Sequence, residues 1–150
     1  MSYIRSLPDA LCEWFSDMRD FSDCVFCTQY PAESKITPLE NPVIVLGSKS
    51  LKVLDNTVDE TGNIITDSRI AELVFTIGIH VPRSSGGNRC NVLLDKITDM
   101  LLFNTPLSVS KVTAGEMEYI RNTDSLYLPV TFTVDETLKR QSVYPPKLVL

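Results

Sequence analysis

Few residues in this chain have the type and spacing to carry chemistry. Cys24 and Cys27 stand at the C-x-x-C spacing of dithiol redox centres, or of half a zinc site. Structural zinc needs a second close pair, and Cys12 and Cys90 stand alone, so the two thiols read as small residues in a strand or loop. His80 is the only histidine, which removes His-pair metal sites and leaves one imidazole for acid–base work. Its place on the polar side of an alternating strand predicts a solvated or interface residue, and sequence alone leaves a Cys90–His80 pair open. Ser84-Ser85-Gly86-Gly87-Asn88 joins a strand to a helix, where backbone N–H groups can hold an anion. It has neither the lysine of G-x-x-x-x-G-K-[ST] nor the G-x-G-x-x-G spacing, and reads as a helix-entry turn capped by Ser or Asn. Glu116 and Glu118 fall on one side of a strand, without an aromatic sugar platform or metal partner, and read as a solvated edge. No nucleophile elbow, kinase or zincin signature occurs. The expectation is a protein that is not an enzyme, with no catalytic residue, metal or cofactor.

The elements that hold these residues fit one domain. The chain has 150 residues, 43% apolar and 22% charged, a composition that can bury one core. Apolar runs such as Val43-Ile44-Val45-Leu46 fall far short of the roughly 18 residues a membrane span requires, so no membrane is expected. The N-terminal Met-Ser-Tyr-Ile-Arg-Ser lacks the basic and long apolar regions of a signal peptide, which predicts a cytoplasmic start with free thiols. A formal charge of −5 disfavours a nucleic-acid clamp, because an acidic surface repels phosphate.

Ile4, Leu7, Leu11, Trp14, Phe15 and Met18 recur at helical spacing, with Pro8 tolerated in a first turn that begins near Leu7. Residues 20–42 read as a long connection holding a short strand within Cys24–Tyr30. Strands are expected at 43–46 and 51–58 around a Gly47–Ser50 turn, with a second turn at 59–63. The clearest strand runs from Ile70 to Val81, with Ala71, Leu73, Phe75, Ile77, Ile79 and Val81 on one face. Val92, Leu93, Ile97, Met100 and Leu101 give a second helix ending near Phe103. Strands follow at 107–114 and 116–121, with a bulge at Gly115, then a turn at 122–125 and a last strand over 126–134. The fold class is therefore α+β: a mostly antiparallel sheet with two helices packed on one face. Residues 1–136 form the domain, and 137–150, with Pro145-Pro146 and Leu148-Val149-Leu150, form an extended C-terminal tail.

Taken in order, several segments resemble the tail terminator or tail completion proteins of tailed-phage necks and of phage-tail-like bacteriocins (tailocins). They are the amphipathic N-terminal helix, Leu39-Glu40-Asn41-Pro42-Val43-Ile44-Val45-Leu46-Gly47, the strand Glu72 to Pro82, Ser85-Gly86-Gly87-Asn88-Arg89-Cys90 opening a helix, and Gly115 to Arg121 paired with Leu126 to Phe132. The resemblance covers residues 4–135 and lies in the order of the pieces. It implies a structural ring, commonly a hexamer of this chain, that caps the head-proximal end of the tail tube and ends its growth. Implied partners are the tail tube protein and, in a contractile particle, the sheath and the neck or connector proteins. DNA would pass through the lumen without specific binding. The implied location is the neck or collar of a virion or tailocin, assembled in the bacterial host cytoplasm. The alternatives are a head-completion protein of the neck and, in another class, a small cytoplasmic anion-binding domain. Exposure alone nominates partner-binding residues: Asp55, Asp59 and Glu60 in a hairpin, Arg83 and Arg89 around the glycine turn, and Lys139, Arg140, Tyr144, Pro145 and Pro146 in the tail.

Overall fold

Alternate residues of an extended strand share a face, so the run Ala71, Leu73, Phe75, Ile77, Ile79, Val81 builds one apolar surface if the chain stays extended. It does. A computed structural model describes residues 3–30, 39–54, 58, 60–63 and 68–139. In it, strand β3 spans Ser68–Pro82 and buries all six of those side chains. Its antiparallel partner β6, Ser125–Lys139, pairs with it in unbroken register from Ser68↔Lys139 to Pro82↔Ser125 and buries Leu128, Val130, Phe132 and Val134 on the same side. These two long strands are the middle of the sheet.

β2, Val43–Val53, pairs antiparallel with β3, and β1, Val25–Cys27, pairs parallel with β2 at the edge. On the other side of β6 lie β4, Val109–Ala114, and the short β5, Glu118–Ile120, both antiparallel to it. The sheet order is β1-β2-β3-β6-β4, with β5 paired to β6. The parallel β1–β2 pair accounts for the long connection after β1. Parallel neighbours cannot be joined by a tight hairpin, and Cys27 and Val43 are correspondingly far apart in sequence.

Helix α1, Tyr3–Ser16, and helix α2, Gly87–Phe103, cover one face of the sheet. α1 supplies Leu11 and Phe15, and the 3-10 turn Arg19–Phe21 supplies Phe21. Phe15 stacks on Phe26 at 5.1 Å between ring centroids, and Phe21 meets both rings edge-on at 5.5 and 5.4 Å. Such offset and T-shaped pairs satisfy the ring quadrupoles. α2 buries Cys90, Leu93, Ile97 and Leu101, spaced three or four apart as one helical stripe. Phe75 and Phe132, register partners on β3 and β6, stack at 5.2 Å beneath it.

The architecture expected from sequence is present, and several boundaries move. α1 starts at Tyr3, so Pro8 lies inside the helix and the carbonyl of Ile4 loses its intrahelical donor. Gly47–Ser50 is not a turn. β2 runs through it to Val53, and the irregularity there is a register shift between Ser48 and Ser50. Gly47 faces Thr76, whose Oγ1 would lie only 3.1 Å from an added Cβ. The bulge expected at Gly115 falls instead between Val109 and Lys111, and Gly115 separates β4 from β5. A Cβ there would meet the Pro129 ring at 2.9 Å. The last strand does not stop at 134. Asp135 to Lys139 continue β6 because β3 offers Ser68 to Glu72 as partners, so the first residues assigned to the tail belong to the sheet. Residues 140–150 lie outside those described.

Candidate interaction surfaces

The face of the sheet turned away from the helices carries the only histidine. Along β3, Thr76, Gly78 and His80 alternate with the core residues, and their partners on β6 are Thr131, Pro129 and Tyr127. Tyr127 stacks on His80 with centroids 4.6 Å apart and planes 20° apart, and Tyr30 meets the imidazole in a tilted contact at 4.8 Å. Gly78 makes room for this stack, since a Cβ would lie 3.1 Å from Cε1 of Tyr127. His80 Nδ1 is buried without a hydrogen-bond partner, and burial pushes the imidazole pKa below its usual value. Cys90 lies in the core beneath α2, on the opposite side of the sheet, so the Cys90–His80 pair that sequence left open does not form.

The C-x-x-C pair is likewise divided. Cys24 packs against the core beside Phe26, while the Cys27 thiol points at the carbonyl of Ile44 at 3.9 Å. Burial, followed by the Asp23 carboxylate, pushes the Cys24 thiol up to about 12, and burial raises Cys12 to about 11. Neither is activated as a thiolate. Among the described residues no three His, Cys, Asp or Glu side chains converge as a metal ion would require. No helix among them is long and apolar enough to cross a membrane.

The residues nominated from exposure meet different fates. Arg83 donates from Nε to Asp124 Oδ1 at 2.8 Å, and the Tyr119 hydroxyl donates to the same oxygen at 2.7 Å. These two bonds hold the Asp124 carboxyl below the usual carboxylate range. Asp124 sits at φ 45°, the left-handed region that Asp and Asn tolerate better than most residues, and its carbonyl accepts from the Arg83 backbone N–H at 3.1 Å. Arg89, in the first turn of α2, reaches Asp23 beside β1, with Nη2 at 3.1 and 2.9 Å from the two carboxylate oxygens. Both arginines thus tie elements of their own chain together rather than stand free. The turn between them is not capped by Ser or Asn: Gly86, at φ 79°, takes the N-cap place with no side-chain bond. Glu60 is exposed in the β2–β3 connection, and Glu116 and Glu118 are exposed near β5. Lys139 ends β6. Asp55, Asp59, Arg140, Tyr144, Pro145 and Pro146 lie outside the described residues.

Two apolar surfaces stand out, the first of them adjoining in sequence the hairpin nominated through Asp55, Asp59 and Glu60. The first is the arm formed by the distal parts of β2 and β3, where Leu51, Val53, Leu54, Val58 and Ile70 are all exposed, Val53 by half. β1 pairs with β2 only as far as Val45, and from Ser48 on the side chains of β2 are exposed although the β3 partners Leu73 and Ala71 are buried. The second is a cleft of about 420 Å³ between α2 and the edge strand β4, lined by Leu94, Asp95, Asp99, Leu102, Phe103 and Val112. Phe103 is 75% exposed there. The signal was present in the sequence: Leu94, Leu102 and Phe103 exceed what the single stripe Cys90, Leu93, Ile97, Leu101 can bury.

No protein-family model matches the sequence, and no curated protein matches it either. The surfaces themselves therefore carry the functional reading.

Proposed function

We propose that this chain is a structural subunit of a phage-tail or tailocin neck. It forms a ring of like subunits on the head-proximal end of the tail tube, ends tube growth and offers the next neck component a seat. The supporting observation is the distribution of exposed apolar surface. Most of it lies in two unlike patches, the β2–β3 arm and the α2–β4 cleft, with Val25, Met117 and Tyr119 exposed outside them. Exposed apolar patches on a small domain mark contacts. Unlike patches meet heterologously, and heterologous contacts close into rings when the rotation allows. The net charge of −5 supports the reading, because an acidic ring lets DNA pass where a basic one would hold it. The same surfaces would serve a head-completion protein, which differs in binding the connector instead of the tube.

The deciding experiment measures mass in solution and images the protein by negative stain, alone and with tail tubes from the same source. Rings, or added density at the head-proximal tube end, are the expected result. A monomer that ignores tubes overturns the proposal.

A further inference from the structure

The α2–β4 cleft combines an apolar floor with an acidic rim. Leu94, Leu102, Phe103 and Val112 form the floor. Asp95 and Asp99, one helical turn apart and both exposed, form the rim. The chain's own sequence holds a segment of the opposite character. Residues 140–150 read Arg-Gln-Ser-Val-Tyr-Pro-Pro-Lys-Leu-Val-Leu, with Arg140 and Lys147, no acidic residue, and an apolar end at Leu148-Val149-Leu150. In a protein of net charge −5 this segment is cationic, and it follows directly on the end of β6.

We infer that the α2–β4 cleft is the docking site for residues 140–150 of an adjacent copy of this chain. Leu148, Val149 and Leu150 fill the apolar floor, and Lys147 meets Asp95 and Asp99. Direction and length argue for the adjacent copy. β6 passes the cleft where Val112 pairs with Phe132, then runs on to Lys139 opposite Ser68. Lys139 thus lies about 24 Å beyond the cleft's level, at about 3.4 Å per residue, where β6 is directed away from the cleft. Eleven extended residues reach about 36 Å further. To return to its own cleft the chain would have to reverse within 140–150, and a four-residue turn leaves about seven residues, whose extended reach of about 24 Å ends at the cleft's level with nothing left to fill its floor. Pro145-Pro146 favour an extended path. The inference deepens the ring reading: each subunit would contribute its C-terminal segment to one neighbour and accept another neighbour's.

The test uses the full chain, expressed as ¹⁴N and ¹⁵N batches and mixed, with a photoreactive benzophenone side chain at position 103. The expected result is a cross-link from position 103 to a peptide within 140–150 of the other isotope. Asp95→Lys with Asp99→Lys should lower the yield about tenfold, as like charge replaces attraction, and Lys147→Glu in the same chain should restore part of it. Both substitutions are on exposed α2 positions, and far-UV circular dichroism checks that they leave the fold intact. Cross-links confined to one isotope, with no mixed pairs, overturn the adjacent-copy assignment. An assembled ring with no cross-link to 140–150 overturns the docking site and leaves the ring reading standing. The expected cross-link in open chains or dimers that never cap a tube supports the docking site and overturns the ring reading.

Discussion

At the residue scale, His80 is the side chain whose environment makes the sharpest demand. Its ring contacts both Tyr30 and Tyr127, and Nδ1 is buried without a partner. Burial favours the neutral imidazole, so its folded pKa lies below the ordinary 6.5. The unfolded chain then binds the extra proton first, and the stability held at neutral pH is lost as pH falls through 6.5 and below. His80→Phe keeps an aromatic ring in the stack and removes the titration. The difference in unfolding free energy between wild type and His80→Phe, measured by urea titration from pH 7.5 to 5, should widen toward acid pH in favour of the variant. A constant difference would mean that the imidazole titrates as it does in water. Gly78→Ala should cost about 1–2 kcal/mol in the same assay, because the new methyl presses on the Tyr127 ring. Asp124 makes a different demand. It combines a left-handed backbone with the acceptor for Arg83 and Tyr119. Asp124→Asn keeps the backbone tolerance and loses the charge, whereas Asp124→Ala loses both, so thermal unfolding should rank wild type above Asn and Asn above Ala.

At the element scale, the helices and the sheet answer to separate tests. Phe15 is fully buried among Trp14, Phe21 and Phe26, and Phe15→Ala should destabilise the fold by about 3–5 kcal/mol. Leu51→Ser with Val53→Ser, on the exposed arm, should change stability by only about 0.5 kcal/mol yet weaken assembly. Urea unfolding and sedimentation velocity on the same samples separate the two effects. The contrast follows from where β1 stops pairing with β2, and that was not legible in the sequence. Leu51 and Phe75 are equally apolar on paper, but Leu51 lies on β2 beyond the end of its pairing with β1, whereas Phe75 lies on a strand paired on both sides. Periodicity did reveal the alternation of Ala71 to Val81 and of Leu126 to Val134, because burial of one face imposes period two directly. It could not reveal the parallel β1–β2 pairing, which depends on a crossover, nor the continuity of β2 through Gly47, where turn-forming residues were overridden by pairing with β3. The ion pairs of Arg83 and Arg89 join residues 41 and 66 positions apart, a separation that local pattern does not register.

At the scale of the whole molecule, the argument concerns how one copy meets the next. If a single patch mediated self-association, the contact would be isologous, and a variant damaged anywhere else would still dimerise. Two unlike patches give a different outcome. Take one variant damaged in the cleft, Leu102→Asp with Phe103→Asp, and another damaged on the arm, Leu51→Asp with Val53→Asp; all four positions are exposed. Under a heterologous contact that needs the arm together with residues 140–150 on one side and the cleft on the other, each variant alone has one half of every junction damaged and stays monomeric. Mixed together, the intact arm of the first meets the intact cleft side of the second, and growth stops there because the remaining faces are both damaged. The expected product is a one-to-one heterodimer and nothing larger, readable by native mass spectrometry with one variant isotopically labelled. Homodimers of either variant alone would show that a single self-complementary patch does the work, and a closed ring could not then be built from these two surfaces. Full-size rings from the mixture would place the junction elsewhere, at the open edges of β1 and β4. The heterodimer is the outcome that ties the exposed arm and the exposed cleft to one another as the two sides of the same junction.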